Sequence, residues 1–527
     1  MHQAEILIAG LLVAVAGLSA LARRLSLPYP IVLVIGGAAF AFIPGVPEVK
    51  LNPDVVLVIF LPPLLYSAAF FANLGDIRAN LRSTALSAVG LVLVTMVAVA
   101  VVAHAVIPDM PWSVAFALGA IVSPTDPLAG AAIMRRVGVP RRIVSAVEGE
   151  GLFNDATALV AYRVAVIATV EGSFSLGDAL GRFAVAVIGG VAIGLAVGWI
   201  IAFIRERTED PEVSITISLL SGYAAFIPAD KLGVSGVLAA VTTGIYMGVR
   251  GPSIISARTR LEGNYVWEIL DFILNASLFV LVGLQVRSVI DGISGSSAGE
   301  VAGYAVAMSG VVVLARLVWA NTTPYLVRAL DRRPSQRLRR VGWRPRLVIA
   351  WSGMRGAVSL AAALALPLDT DAGAPFPYRD LVIFLTFAVI FVTLVVQGLT
   401  LPALIRVLHV TGDGVEETEE VRARLEATRA ALEEIDVLRE QDWTRDESLD
   451  RMRAMYEYRQ RRFKARAGKI EDDGYEDRSL AYQQAVQAVL TAQRQRLVQL
   501  RNEGVISNEV MNRVVREFDL EESRLEI

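Results

Sequence analysis

The chain has no cysteine among its 527 residues and only three histidines, His2, His104 and His409. The first absence removes disulfides, thiolate metal sites and thiol nucleophiles. The second all but removes a histidine cluster acting as metal centre or pH switch. Charge is scarce and uneven: residues 1–410 hold 55 Asp, Glu, Lys and Arg, whereas the much shorter stretch 411–527 holds 47. A net charge of −2 gives nucleic acid no footing, and no such partner is expected.

Apolar sequence is what the chain has in quantity. With 54% hydrophobic residues, mean hydropathy +0.52 and several apolar runs of about 20 residues, it reads as an all-α polytopic membrane protein. Thirteen spans are expected, at 5–21, 28–43, 53–71, 83–107, 112–134, 143–169, 181–204, 212–228, 232–249, 264–286, 300–327, 347–366 and 381–405. The first is expected to be a retained span, because "MHQAE" has no Lys or Arg and Arg23 and Arg24 follow the apolar run. The expected domains are 1–410 in the membrane and a soluble helical unit over 411–527. In that unit Val421, Leu425, Leu432 and Ile435 share one helix face with Thr428, and Gly504 marks a helix end. Helices packing on one another explain this pattern more simply than a ligand sensor does.

Alternate connections are basic. Twenty-one Lys and Arg fall on one set of connections (Arg23, Arg24, Arg78, Arg82, the "RRVGVPRR" run at 135–142, Arg205, Arg207, Arg250, Arg258, Arg260 and eight Arg between 328 and 346). Five fall on the other set: Lys50, Arg182, Lys231, Arg287 and Arg379. The basic set is expected in the cytoplasm, which puts the N-terminus outside and the C-terminal unit inside.

Two spans carry interruptions. In "SPTDPLAG" (123–130), Pro124 and Pro127 bracket Thr125 and Asp126; each proline deletes a backbone donor and opens the helix. In "WSGMRGAVSL" (351–360), Gly353 and Gly356 bracket Arg355 and free the backbone from helical geometry. Unwound backbone at membrane depth is tolerated only inside protein or beside a water-filled cavity. Spans five and twelve lie an odd number apart, so equivalent positions cross in opposite senses, as an inverted repeat of a transporter requires.

The segment "EGEGLFNDATALVAYRV" (148–164) adds Glu150, Asn154, Asp155 and Arg163 within span six. A carboxylate at mid-membrane costs about 2.5–3.5 kcal/mol on insertion scales, so Asp126 and Asp155 are expected to face a cavity and to act. Two plainer roles compete: Asp126 as cap of the second half-helix, and Asp155 as partner of Arg163. Thr125, Asp126, Asn154 and Asp155 offer hydroxyl, carboxylate and amide oxygens of the kind a hard monovalent cation takes. A carboxylate that binds a proton or a cation in turn is sufficient for exchange.

In order along the chain, "FLPPLLYSAAF" (60–70), "SPTDPLAG", "EGEGLFNDATALV" and "WSGMRGAVSLA" resemble the Asn-Asp type of monovalent cation/proton antiporter, the bacterial sodium/proton exchangers. The likeness covers residues 1–410, with a less specific one in the tail. It implies crossed, broken spans five and twelve, an elevator-like core and a dimerisation subdomain, and hence a homodimer in the bacterial inner membrane. It implies Asp155 as the shared site of Na⁺ (or Li⁺ or K⁺) and H⁺, with Asn154, Asp126 and Thr125 beside it and no cofactor. It also implies an ion pair between Glu150 and Arg355, which a lone buried arginine would need, and Arg316 as a positive charge near the crossing. Two positions depart from the pattern: Gly151 where a serine is common, and Ser67 where an acidic residue is common. A cation channel and an intramembrane aspartyl protease are the rival readings. The first lacks a symmetric carboxylate ring, and the second lacks the Tyr-Asp and Gly-x-Gly-Asp motifs around Asp126 and Asp155.

Overall fold

The computed structural model describes residues 2–44, 56–73, 75, 84–172, 176–293, 297–330, 342–410, 412, 414–466, 470 and 474–523. The chain divides into two compact units, Met1–Gly412 and Asp413–Ile527. Among the described residues both are helical, and the β pairing is one isolated bridge between Asp369 and Pro375.

In the first unit the helices are α1 (His2–Arg24), α2 (Tyr29–Ala41), α3 (Leu61–Phe70, entered through a π-helical turn Val56–Phe60) and α4 (Leu86–Val106, π-helical over Leu86–Leu91). Next come the half-helices α5 (Trp112–Val122) and α6 (Pro127–Val137), then α7 (Arg141–Val170), α8 (Leu176–Glu206), α9 (Pro211–Lys231) and α10 (Gly236–Ile254). After α11 (Ala257–Leu284), the short α12 (Val286–Gly292) and α13 (Ala298–Leu330) come the half-helices α14 (Trp343–Trp351) and α15 (Ala357–Leu364). The unit closes with α16 (Arg379–Leu408), π-helical over Thr393–Gln397. Among the described residues eight helical segments are long and apolar enough to cross a membrane. The remaining five stretches read as spans fall on α1, α2, α3, α10 and the pair α14–α15. Helices satisfy their own backbone groups, which lipid cannot do. Side-chain caps from Asp210, Ser235 and Ser256 start α9, α10 and α11. Of the basic residues used to orient the chain, Lys50, Arg78, Arg82, Arg332, Arg333, Arg337, Arg339 and Arg340 lie outside the described residues.

The helices pack in two groups. The helices α1, α2, α3, α8, α9, α10 and α11 pack chiefly among themselves, as do α4 to α7 with α13 to α16. The second group holds both interrupted spans. In terms of the thirteen expected spans, the first three of each half, joined by α8, fall in one group and the last three of each half in the other.

In the second unit, α17 (Val415–Leu438) packs on α18 (Asp446–Arg466), and α19 (Tyr475–Asn502) on α20 (Asn508–Ser523). The α17 stripe is covered, with Thr428 and Ile435 buried. Gly504, at φ +74°, turns the chain out of α19.

Candidate functional site

Proline at 127 suits the first position of α6, where a missing amide costs nothing. Asp126 caps that helix by accepting from the Leu128 amide at 2.9 Å. The Asp126 amide in turn donates to the Met354 carbonyl at 2.8 Å, so the two unwound stretches bond to each other where they cross. Two helix N-termini, of α6 and α15, and two C-termini, of α5 and α14, therefore meet in one place.

Charge at the crossing follows the helix dipoles. The acid Asp126 sits at an N-terminus, and the bases serve C-terminal carbonyls that lack helical partners. Arg355, 1% exposed, donates through Nε to the Val122 carbonyl at 2.7 Å and through Nη1 to the Gly353 carbonyl at 2.9 Å. Its own amide donates to Thr393 Oγ1 on α16 at 3.1 Å. Arg316, 2% exposed, donates from Nε and Nη2 to the Ile349 carbonyl, both at 3.3 Å.

The buried carboxylate of Glu150 pairs with Arg316, Nη1 to Oε1 at 2.5 Å. This corrects the expected Glu150–Arg355 pair. The Arg355 guanidinium is drawn to the orphaned carbonyls of the broken helices, and the guanidinium left to neutralise Glu150 comes from α13. The expected role of the glycines changes as well. Neither Gly353 nor Gly356 uses positive φ. A Cβ at Gly353 would strike the Arg316 side chain, and one at Gly356 the Asp126 carboxylate, so both are glycines because side chains pass against the backbone. Gly151 belongs to the same set, since a Cβ there would run into the Pro127 ring. The serine missing at that position has no room here.

Asp126 and Asp155 line one cavity of about 350 Å³. Thr125 and Asn154 do not line it: both are buried, and the Asn154 Nδ2 donates to Thr125 Oγ1 at 2.8 Å and to the Thr125 carbonyl at 3.2 Å. Thr125 Oγ1 donates onward to Glu150 Oε1 at 3.4 Å. The carbonyl acceptor fixes which end of the amide is nitrogen and leaves Asn154 Oδ1 buried without a partner. Among the described residues no three acidic or imidazole side chains converge as a metal site would require. An ion here would combine a carboxylate with neutral oxygens, as a weakly held monovalent cation does. Arg163 is not the partner of Asp155; it pairs with Asp230 on α9 at 2.6 Å.

The same cavity is lined by Ser67, Asp271 and Asn275 from the other helix group, and by Arg135 and Glu148, which pair with each other. Asp271 was missed in the sequence. It is an ionisable residue midway along an apolar span, the signal that marked Asp126 and Asp155.

The transmembrane sodium/hydrogen exchanger family matches residues 10–407 of the chain. An uncharacterized Na(+)/H(+) exchanger of Mycobacterium tuberculosis is 36% identical over 524 residues, 99% of this chain and 96% of its own length. The sodium, potassium, lithium and rubidium/H(+) antiporter of Bacillus subtilis is 34% identical over 395 residues, 72% of this chain and 58% of its own. In three dimensions the sodium proton antiporter MjNhaP1 of Methanocaldococcus jannaschii matches at TM-score 0.59 and 17% identity, over 76% of this chain and 98% of that one. At that identity the likeness is one of fold.

Proposed function

The chain belongs to the sodium/hydrogen exchanger family, multi-pass membrane antiporters that trade a cation for protons, and from that premise we propose that Asp155 is the carboxylate at which the two ions take turns. The observation that carries this reading is the meeting of two interrupted helices beside a cavity whose wall bears Asp155. Asp155 accepts no hydrogen bond and has no basic partner among the described residues, whereas Glu150 is paired and Asp126 is engaged as a cap. Its charge is then balanced by whichever ion it holds. Na⁺ is the assigned substrate, with Li⁺ and K⁺ as further candidates, since the Bacillus subtilis relative is named for all three. Asn154 Oδ1, buried without a partner among the described residues, is a neutral oxygen on the residue next to Asp155 in sequence.

Alternating access follows if the group holding both interrupted spans slides as a body against the other, in an elevator-like motion that carries Asp155 across the membrane. The exposed Arg135–Glu148 pair lines the cavity next to the basic 135–142 run. By the charge rule that run is cytoplasmic, so the cavity is inward-facing in a bacterial inner membrane, with the N-terminus outside and residues 413–527 inside. A homodimer through the non-sliding group completes the reading.

Purified protein in proteoliposomes tests it. Asp155→Asn should abolish sodium-driven proton flux while leaving thermal unfolding unchanged, and retained flux would refute the shared site. In the wild type the apparent sodium affinity should fall as pH is lowered, because protons compete for the same oxygens.

A further inference from the structure

We propose that Asp271, steadied by Ser67, is a cation-capturing residue of the inward-facing cavity and sets cation affinity at the cytoplasmic face far more than at the outer one. This deepens the reading above and rests on it. The two walls of the cavity come from different helix groups: Asp126 from the cap of α6 and Asp155 from α7, Ser67 and Asp271 from α3 and α11. Ser67 Oγ donates to Asp271 Oδ1 at 2.7 Å, which holds the carboxylate in place while Oδ2 has no partner among the described residues. Asp271 stands midway along α11, with no Lys, Arg or His paired to it among the described residues. A carboxylate at that depth without a counter-charge needs a cation or a proton from the cavity.

Motion of one helix group against the other gives Asp271 its asymmetry. Asp155 travels with α7, while Asp271 stays with α11. The two carboxylates therefore face the same space in the conformation described here and part when the site turns outward. Asp271 draws cations into the cytoplasmic cavity and passes them to Asp155, but carries nothing across itself.

A purely structural role, a hydrogen bond tying α3 to α11, makes different predictions. Asp271→Asn keeps an acceptor for Ser67 and removes the charge, whereas Ser67→Ala removes the bond and keeps the charge. The full-length protein is assayed in right-side-out and inside-out vesicles, with sodium varied on one face at a time. Asp271→Asn should raise the half-saturating sodium concentration at the cytoplasmic face by about tenfold, the order expected of one unit charge in a partly hydrated cavity. The shift at the outer face should be much smaller and thermal stability unaltered, and Ser67→Ala should give a weaker shift of the same kind. Equal shifts at the two faces, no shift, or lost stability in Asp271→Asn would overturn the proposal. Sodium-dependent thermal stabilisation of the solubilised protein reads binding without transport. It should weaken in Asp271→Asn, and undiminished stabilisation would again overturn it. Exchange surviving in Asp155→Asn would instead refute the shared site and leave the face comparison for Asp271 readable.

Discussion

Glu150, 7% exposed, has Arg316 as its salt-bridge partner among the described residues, so truncating Arg316 strands a buried carboxylate. Arg316→Ala should cost about 3–5 kcal/mol, the usual penalty for breaking a buried pair. Arg355→Ala removes donors from the Val122 and Gly353 carbonyls and should cost about 1–3 kcal/mol. Adding Glu150→Gln should recover much of the Arg316→Ala loss and none of the Arg355→Ala loss. Thermal unfolding in detergent gives the ranking, and a reversed order would return Arg355 to Glu150. The partner was illegible in the sequence because Arg316 and Arg355 carry the same charge at similar depths of neighbouring spans. Only the geometry shows that Arg355 is taken up by the Val122 and Gly353 carbonyls, whereas Arg316, beside the Ile349 carbonyl, still reaches Glu150. Asp271 was legible by the rule that found Asp155. The segment around it in α11 carries no proline or glycine break and no motif of the family resemblance, so the sequence marks it by that one rule alone.

The two breaks could be read because proline and glycine act on the backbone locally, and the structure opens the helices at 123–126 and 352–356. The π-helical turns could not, since widening a helix by one residue leaves its apolar pattern unchanged. One of them matters at the crossing: Thr393 begins the turn Thr393–Gln397, and its hydroxyl accepts from Arg355 while donating to the Val389 carbonyl at 2.8 Å. At this scale α7 approaches the start of α6 closely, with Gly151 facing the Pro127 ring. Gly151→Ser should destabilise the protein by about 1–3 kcal/mol, as overpacking does, and Pro127→Ala in the same molecule should relieve it. A serine variant as heat-stable as the wild type would show slack between the two helices.

Across the whole molecule, the helix group proposed to slide would set the charge carried each way. There Asn154 does not ionise, Glu150 is paired with Arg316, Asp126 is engaged as a helix cap, and on the proposed reading Asp155 would leave with either a cation or a proton. The exchange should be one for one and indifferent to voltage. A potassium diffusion potential set with valinomycin tests this, and a sodium-driven proton flux that scales with the potential would show net charge movement. The Arg163–Asp230 pair joins the two helix groups through α7 and α9, toward the end of α7 remote from Glu148, with side chains 52% and 44% exposed. Under the proposed sliding the pair would act as a latch, and its exposure leaves it open to screening by dissolved salt, over a Debye length of about 8 Å at 0.15 M. Choline chloride, a salt with no transported cation, should therefore speed turnover in the wild type when added outside. Asp230→Asn should turn over faster at low ionic strength and lose the salt response; an unchanged response would place the effect of salt elsewhere. With the latch on the outer side, as the charge rule would have it, the saltiness of the medium would act on how fast the protein moves as well as on the gradient it works against.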